Sequence, residues 1–162
     1  VARISPSSIT QSDYNTEISK GGPPEGLYAL FILKESGCPF FYRIFTANAD
    51  HPDPAILGGF FIALSLFAKE VTDGQIETIT TEPCKYTFYP LRNGLLVISS
   101  AKAFNPILLE RIAKRIAKLF LTTYRDQLVK PQPASICAPD LNQQIERILS
   151  ETLKTSYANA SC

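Results

Sequence analysis

The sequence predicts an α+β domain, an α/β/α sandwich whose five-stranded, mainly antiparallel sheet carries helices on both faces. Three observations lead there. Residues 27–34 and 95–98 are apolar on both alternating faces, as strands covered on two sides are. Two long segments repeat apolar residues at helical spacing behind an N-cap followed by proline, Asp53-Pro54 and Asn105-Pro106. Turn signals at Glu35-Ser36-Gly37 and Asn93-Gly94 join neighbouring strands. The expected order is β-β-α-β-β-β-α-α.

With 162 residues the chain suits one domain with a proper core. Hydrophobic residues at 45% against 19% charged describe a globular chain leaning towards burial or association. A net charge of +1 gives no global attraction to nucleic acid, so no nucleic-acid partner is expected. The chain opens at Val1 and contains no methionine, which reads as a trimmed or processed chain. Its longest apolar run, about residues 55–68, falls short of the ~20 residues of a membrane span and reads as a buried helix.

Along the chain, residues 1–25 form a polar arm broken by Pro6, Gly21, Gly22, Pro23 and Pro24. The domain is expected over 26–157, with a short tail at 158–162. Strand 27–34 turns at 35–37 into a second strand over 40–46, with Phe41, Arg43 and Phe45 on one face and Phe40, Tyr42 and Ile44 on the other.

Helix 54–71 is apolar almost all round. At about 100° per residue, Ile56, Leu57, Phe60, Phe61, Leu64, Phe67, Ala68 and Val71 share a wide face assigned to the sheet. Ile62 and Leu66, bordered by Gly59 and Ala63, point elsewhere, and Gly58, Ser65 and Lys69 form a narrow polar stripe. Such a helix asks for a second cover.

A Thr-rich strand over 76–81 follows, with fewer large apolar groups, as suits a sheet edge. Strand 84–89 and the type I′ signal Asn93-Gly94 lead to strand 95–98, placed beside the first strand. Helix 105–128 buries Leu108, Leu109, Ile112, Ala113, Ile116, Leu119, Phe120 and Thr123. It turns Arg111, Lys114, Arg115, Lys118 and Arg125 outward. Residues 130–139, with three prolines, are a linker. A third helix from Asp140 presents Leu141, Ile145, Ile148, Leu149, Thr152 and Leu153.

This order, the Glu35-Ser36-Gly37-Cys38-Pro39 turn and the Asn93-Gly94 hairpin resemble the longin and roadblock-like superfamily over about residues 26–157. The resemblance implies a non-catalytic platform working in membrane traffic or in complexes that regulate small Ras-like GTPases. It further implies dimerisation, as a homodimer or with a related longin or roadblock subunit, through helix 54–71 and edge strand 76–81. The implied interface comprises Gly58, Gly59, Ile62, Ala63, Leu66, Ile76, Thr78 and Thr80. No SNARE-type heptad segment follows residue 157, which disfavours a SNARE role.

Reaction chemistry is weakly represented. His51, the single histidine, lies in Asp50-His51-Pro52-Asp53, where turn and cap roles account for every residue. The chain has no phosphate-binding loop or nucleophile motif, and Gly58-Gly59 sits inside a helix, where close approach of another backbone explains it. Cys38, Cys84, Cys137 and Cys162 form no C-x-x-C pair. They read as reduced thiols in a cytoplasmic protein, with Cys38 and Cys84 as small core groups. No enzyme activity, metal or cofactor is expected. Arg111, Lys114, Arg115 and Lys118 offer a face for an acidic partner or peripheral membrane contact. The alternative is a PAS-like or profilin-like small-molecule sensor, motivated by the crowding of Phe31, Phe41, Phe60, Phe61 and Phe67.

Overall fold

The computed structural model describes residues 25–46, 52–126, 128–129 and 139–160. Residues 1–24 of the N-terminal arm, His51, most of the proline-rich linker, Cys137 and Cys162 lie outside these. Eight elements follow in the order β1 (Leu27–Lys34), β2 (Pro39–Ile44), α1 (Pro54–Thr72), β3 (Thr78–Thr80), β4 (Lys85–Leu91), β5 (Gly94–Ser100), α2 (Pro106–Thr122) and α3 (Pro139–Ala160). The strands form one sheet, β2-β1-β5-β4-β3, antiparallel at every pairing.

The two strands that are apolar on both faces, β1 and β5, lie side by side in the middle of the sheet. Alternation divides their side chains between two cores. Leu30, Ile32, Leu96 and Ile98 pack with Leu109, Ile112, Ile116 and Phe120 of α2 and Leu141, Ile145 and Leu149 of α3. Ala29, Phe31, Leu33, Leu95 and Val97 face the other way, towards Phe61 of α1. Two helices thus cover one face and a single helix covers the other.

β2 departs from simple alternation. The register against β1 shifts between Ile32 and Leu33, and Phe40 joins Phe41 on the α2/α3 side. Arg43 then reaches α3. It donates to Asn142 Oδ1 at 3.1 Å and Glu146 Oε1 at 2.6 Å, and its guanidinium lies 5.4 Å from the centre of the Phe45 ring.

Several boundaries differ from expectation. The Arg92-Asn93 pair forms the β4–β5 loop, and neither residue has positive φ, so the turn is not type I′. Gly94 opens β5 instead, where a Cβ would lie 2.2 Å from the Leu33 carbonyl oxygen. α2 stops at Thr122 rather than near 128, and Tyr124 and Leu128 bury themselves in the α2/α3 core after the helix has ended. α3 runs through Ala160, past the expected boundary at 157. It docks beside α2 through the apolar side that its spacing predicts.

Candidate interaction surface

α1 is closed at both ends by local chemistry. Asp53 accepts the Ala55 N–H at 2.8 Å, and Pro54 fixes the first helical φ without losing a bond. At the other end Asp73 takes a left-handed φ of 53° and donates its N–H to the Lys69 carbonyl. The helix rests on the sheet along a narrow stripe, and only Gly58 and Phe61 are fully buried. The Phe61 ring meets Phe88 edge-on at 5.4 Å, Tyr86 at 5.3 Å and Phe31 at 6.1 Å.

Gly58 sets the approach. A Cβ there would stand 2.3 Å from the Gly37 carbonyl oxygen and 2.9 Å from Leu33 Cδ2. Gly37, at φ +87°, occupies a conformation that glycine adopts freely, and its own Cβ would meet the Gly59 Cα at 3.0 Å. The β1–β2 turn and α1 therefore touch backbone to backbone. Gly59 differs, because a Cβ built on it meets nothing within 4 Å. Close approach explains Gly58 but not Gly59, which costs about 1 kcal/mol of helix propensity with no steric return inside this chain.

These contacts rotate the helix by about a quarter turn from the expected orientation, keeping Leu57 and Phe61 on the sheet. Ile56, Phe60, Phe67 and Val71, assigned by spacing to the sheet, are more than half exposed. Gly58 and Ser65, assigned to a polar stripe, lie at or near the sheet; Ser65 satisfies its hydroxyl on the Phe61 carbonyl at 2.9 Å. Ile62, expected to be free, is partly buried against the α1-side core. Leu66 and Ala63 are exposed as expected. The outer arc is consequently Ile56, Gly59, Phe60, Ala63, Leu66, Phe67 and Val71. Neither is α1 a buried helix. At 19 residues with a mean hydropathy of 1.6 and 11% of the span buried, it is long and apolar enough to cross a membrane by length and composition alone.

The sheet edge beyond α1 is shorter than expected. β3 covers only Thr78–Thr80 and pairs with β4 alone. Thr78 and Thr80 are exposed, Ile79 is half-buried, and Ile76 packs against the α1-side core without joining the strand.

The basic residues of α2 are not one uniform face. Arg115 turns to α3, donating to Thr152 Oγ1 at 3.0 Å and forming an ion pair with Glu151. Lys114 pairs with Glu110 one turn away at 2.6 Å. Hydrogen bonds from these cations hold both carboxyls below the usual carboxylate range. Arg111 and Lys118 remain exposed.

The five phenylalanines that motivate a ligand pocket do not share one. Phe31 and Phe61 pack together, Phe41 lies on the opposite side of the sheet, and Phe60 and Phe67 face solvent. A depression between the β4–β5 loop and the end of α2 holds only about 60 Å³, far below the ~300 Å³ of a small-molecule site. Among the described residues no group of three or more His, Cys, Asp or Glu could hold a metal ion. Cys84 is buried, hydrogen-bonded to Thr81, whereas Cys38 is exposed on the β1–β2 turn rather than in the core.

No known protein-family model matches the chain, and no curated protein resembles it significantly.

Proposed function

We propose that this chain is a non-catalytic protein-interaction module of longin or roadblock-like type. It scaffolds or regulates a small Ras-like GTPase or a membrane-trafficking complex and works as a dimer with itself or with a related subunit. The observation that carries the reading is the outer arc of α1. Ile56, Phe60, Leu66, Phe67 and Val71 are all more than half exposed on one capped helix, packed over a sheet whose edge strand β3 pairs with β4 alone. An apolar patch of this extent is at the upper end of what monomeric proteins expose, where such patches are often functional.

The element order and the two-sided helical cover agree with what the longin and roadblock resemblance implies, and the GTPase or trafficking partner rests on that resemblance. Arg111 and Lys118 provide a secondary contact for an acidic partner or a membrane surface. Light scattering over a concentration series tests association, with Phe60→Asp as the disruptive variant. Ile62→Asp is unsuitable because Ile62 packs against the core. Pull-down against small GTPases in both nucleotide states tests the partner. Failure with every GTPase in either state removes that partner and leaves the fold untouched.

A further inference from the structure

The end of α2 carries a second apolar surface, on the opposite side of the sheet from α1. The helix stops at Thr122, and the chain folds back so that Leu128 enters the α2/α3 core. Between that return and the β4–β5 loop lies the depression of about 60 Å³, with Ala117, Phe120, Leu121 and Leu128 among its apolar walls. It is too small for a free small molecule and suits the end of one side chain. Leu121 stays 52% exposed there, and Val129, next to Leu128, is 65% exposed.

The charged groups of this notch are of one sign. Arg92 from the β4–β5 loop and Arg125 beyond the helix line it, and among the described residues no carboxylate does. Three other cations on this side of the sheet find carboxylates: Arg43 has Glu146, Lys114 has Glu110 and Arg115 has Glu151. Among the described residues Arg92 and Arg125 have no such ion pair. The closing carbonyls of α2 offset them only in part, since a helix C-terminus amounts to about half a negative charge against two positive ones. The rim therefore stays positive around an apolar recess.

We propose that this notch docks an acidic protein segment through one apolar side chain. The side chain enters between Ala117, Leu121 and Leu128, and flanking carboxylates meet Arg92 and Arg125. A guanidinium suits that task, because it offers a carboxylate two parallel N–H donors. Exposed Lys118, nearly one turn back from Leu121, carries the contact along α2, and exposed Arg111 stands about 10 Å further on. Three or so extended residues at ~3.3 Å each span that distance. A recess between two elements also favours an inserted side chain over a flat bilayer. The inference deepens the acidic-partner contact of Arg111 and Lys118 by giving it an anchor, and it does not involve the dimer arc of α1.

Fluorescence polarisation with the full chain tests it, using a labelled peptide of glutamates around one central leucine and a second in which alanine replaces that leucine. The leucine peptide is expected to bind about tenfold tighter, from the extra apolar carbons it buries, and added salt weakens both. Arg92→Gln and Arg125→Gln each weaken binding about two- to fivefold, as loss of an exposed ion pair does. Ala117→Gln fills the notch and removes the preference for leucine. Leu121→Gln, at a half-exposed wall, reduces the same preference and serves in place of Ala117→Gln should that chain not fold. Equal affinity for the two peptides, or a leucine preference that survives the notch variants, overturns the anchor and leaves only the diffuse basic face of α2. Binding indifferent to both arginine changes overturns the rim. Failure of both peptides at about millimolar concentration overturns the whole inference, while light scattering decides the α1 dimer separately. A chain that binds neither peptide yet floats with phosphatidylserine vesicles, and loses flotation with Arg92→Gln, assigns the site to lipid and likewise overturns it.

Discussion

Gly58→Ala and Gly59→Ala make one perturbation at adjacent positions, and the structure gives them opposite signs. In a helix either change gains about 1 kcal/mol from propensity. At Gly58 the new methyl would stand 2.3 Å from the Gly37 carbonyl oxygen, where a carbon–oxygen contact needs roughly 3.3 Å. The helix or the β1–β2 turn must then move by about 1 Å. Gly37 has little freedom to yield, since its own Cα hydrogen side faces the Gly59 backbone at contact distance. Overpacking of this kind costs about 1–3 kcal/mol, so Gly58→Ala should destabilise by about 1 kcal/mol net. Gly59→Ala meets nothing within 4 Å and should stabilise by up to about 1 kcal/mol. Both are best measured in the Phe60→Asp background, where self-association does not add to folding. Urea denaturation should separate them by about 2 kcal/mol, or several degrees in Tm for a chain of this size. Equal effects, or a stabilising Gly58→Ala, would refute the backbone-to-backbone approach.

Three further outcomes follow from the geometry. Arg43 and Glu146 tie β2 to α3 while both are about three-quarters buried, so a double-mutant cycle of Arg43→Ala and Glu146→Gln should give coupling of about 1 kcal/mol; coupling near zero would make the contact incidental. Burial, with a smaller contribution from Cys84, pushes the Tyr86 hydroxyl up from 10.0 to about 12. Its neutral form is favoured in the fold, so stability is unaffected by this group below pH 10 and falls as pH rises from 10 to about 12. Tyr86→Phe should flatten that part of an alkaline denaturation titration. Arg115 holds the Glu151 carboxyl below its ordinary 4.5, so the contribution of this pair is present above that value and lost as pH falls beneath it. Glu151→Gln should remove this pair's part of the acid dependence and leave that of Glu110, and an unchanged titration would discount the pair.

Much of the fold was legible because its signals are local. β1 and β5 declare two-sided burial in their composition, Asp53-Pro54 and Asn105-Pro106 start helices through side-chain caps, and the α3 stripe from Leu141 to Thr152 is buried as its spacing predicts. The end of α2 was less legible. Tyr124 and Leu128 continue the apolar content past Thr122, and burial outside a helix leaves the same mark in sequence as burial within one. The Asn93-Gly94 dipeptide likewise matches a type I′ turn, although Gly94 serves close strand approach to Leu33.

The candidate surface was legible only in outline. By itself the sequence determined that helix 54–72 has more apolar perimeter than one sheet can cover, because period and composition count apolar residues whatever their neighbours. Which part stays outside was decided by tertiary structure. Gly37 and Gly58 meet across the β1–β2 turn, and that single close approach rotates the helix so that Phe61 enters the core while Phe60 and Phe67 face water. On a helix apolar almost all round, hydrophobicity favours one rotation over the others only weakly. Backbone sterics at two glycines far apart in sequence choose among them.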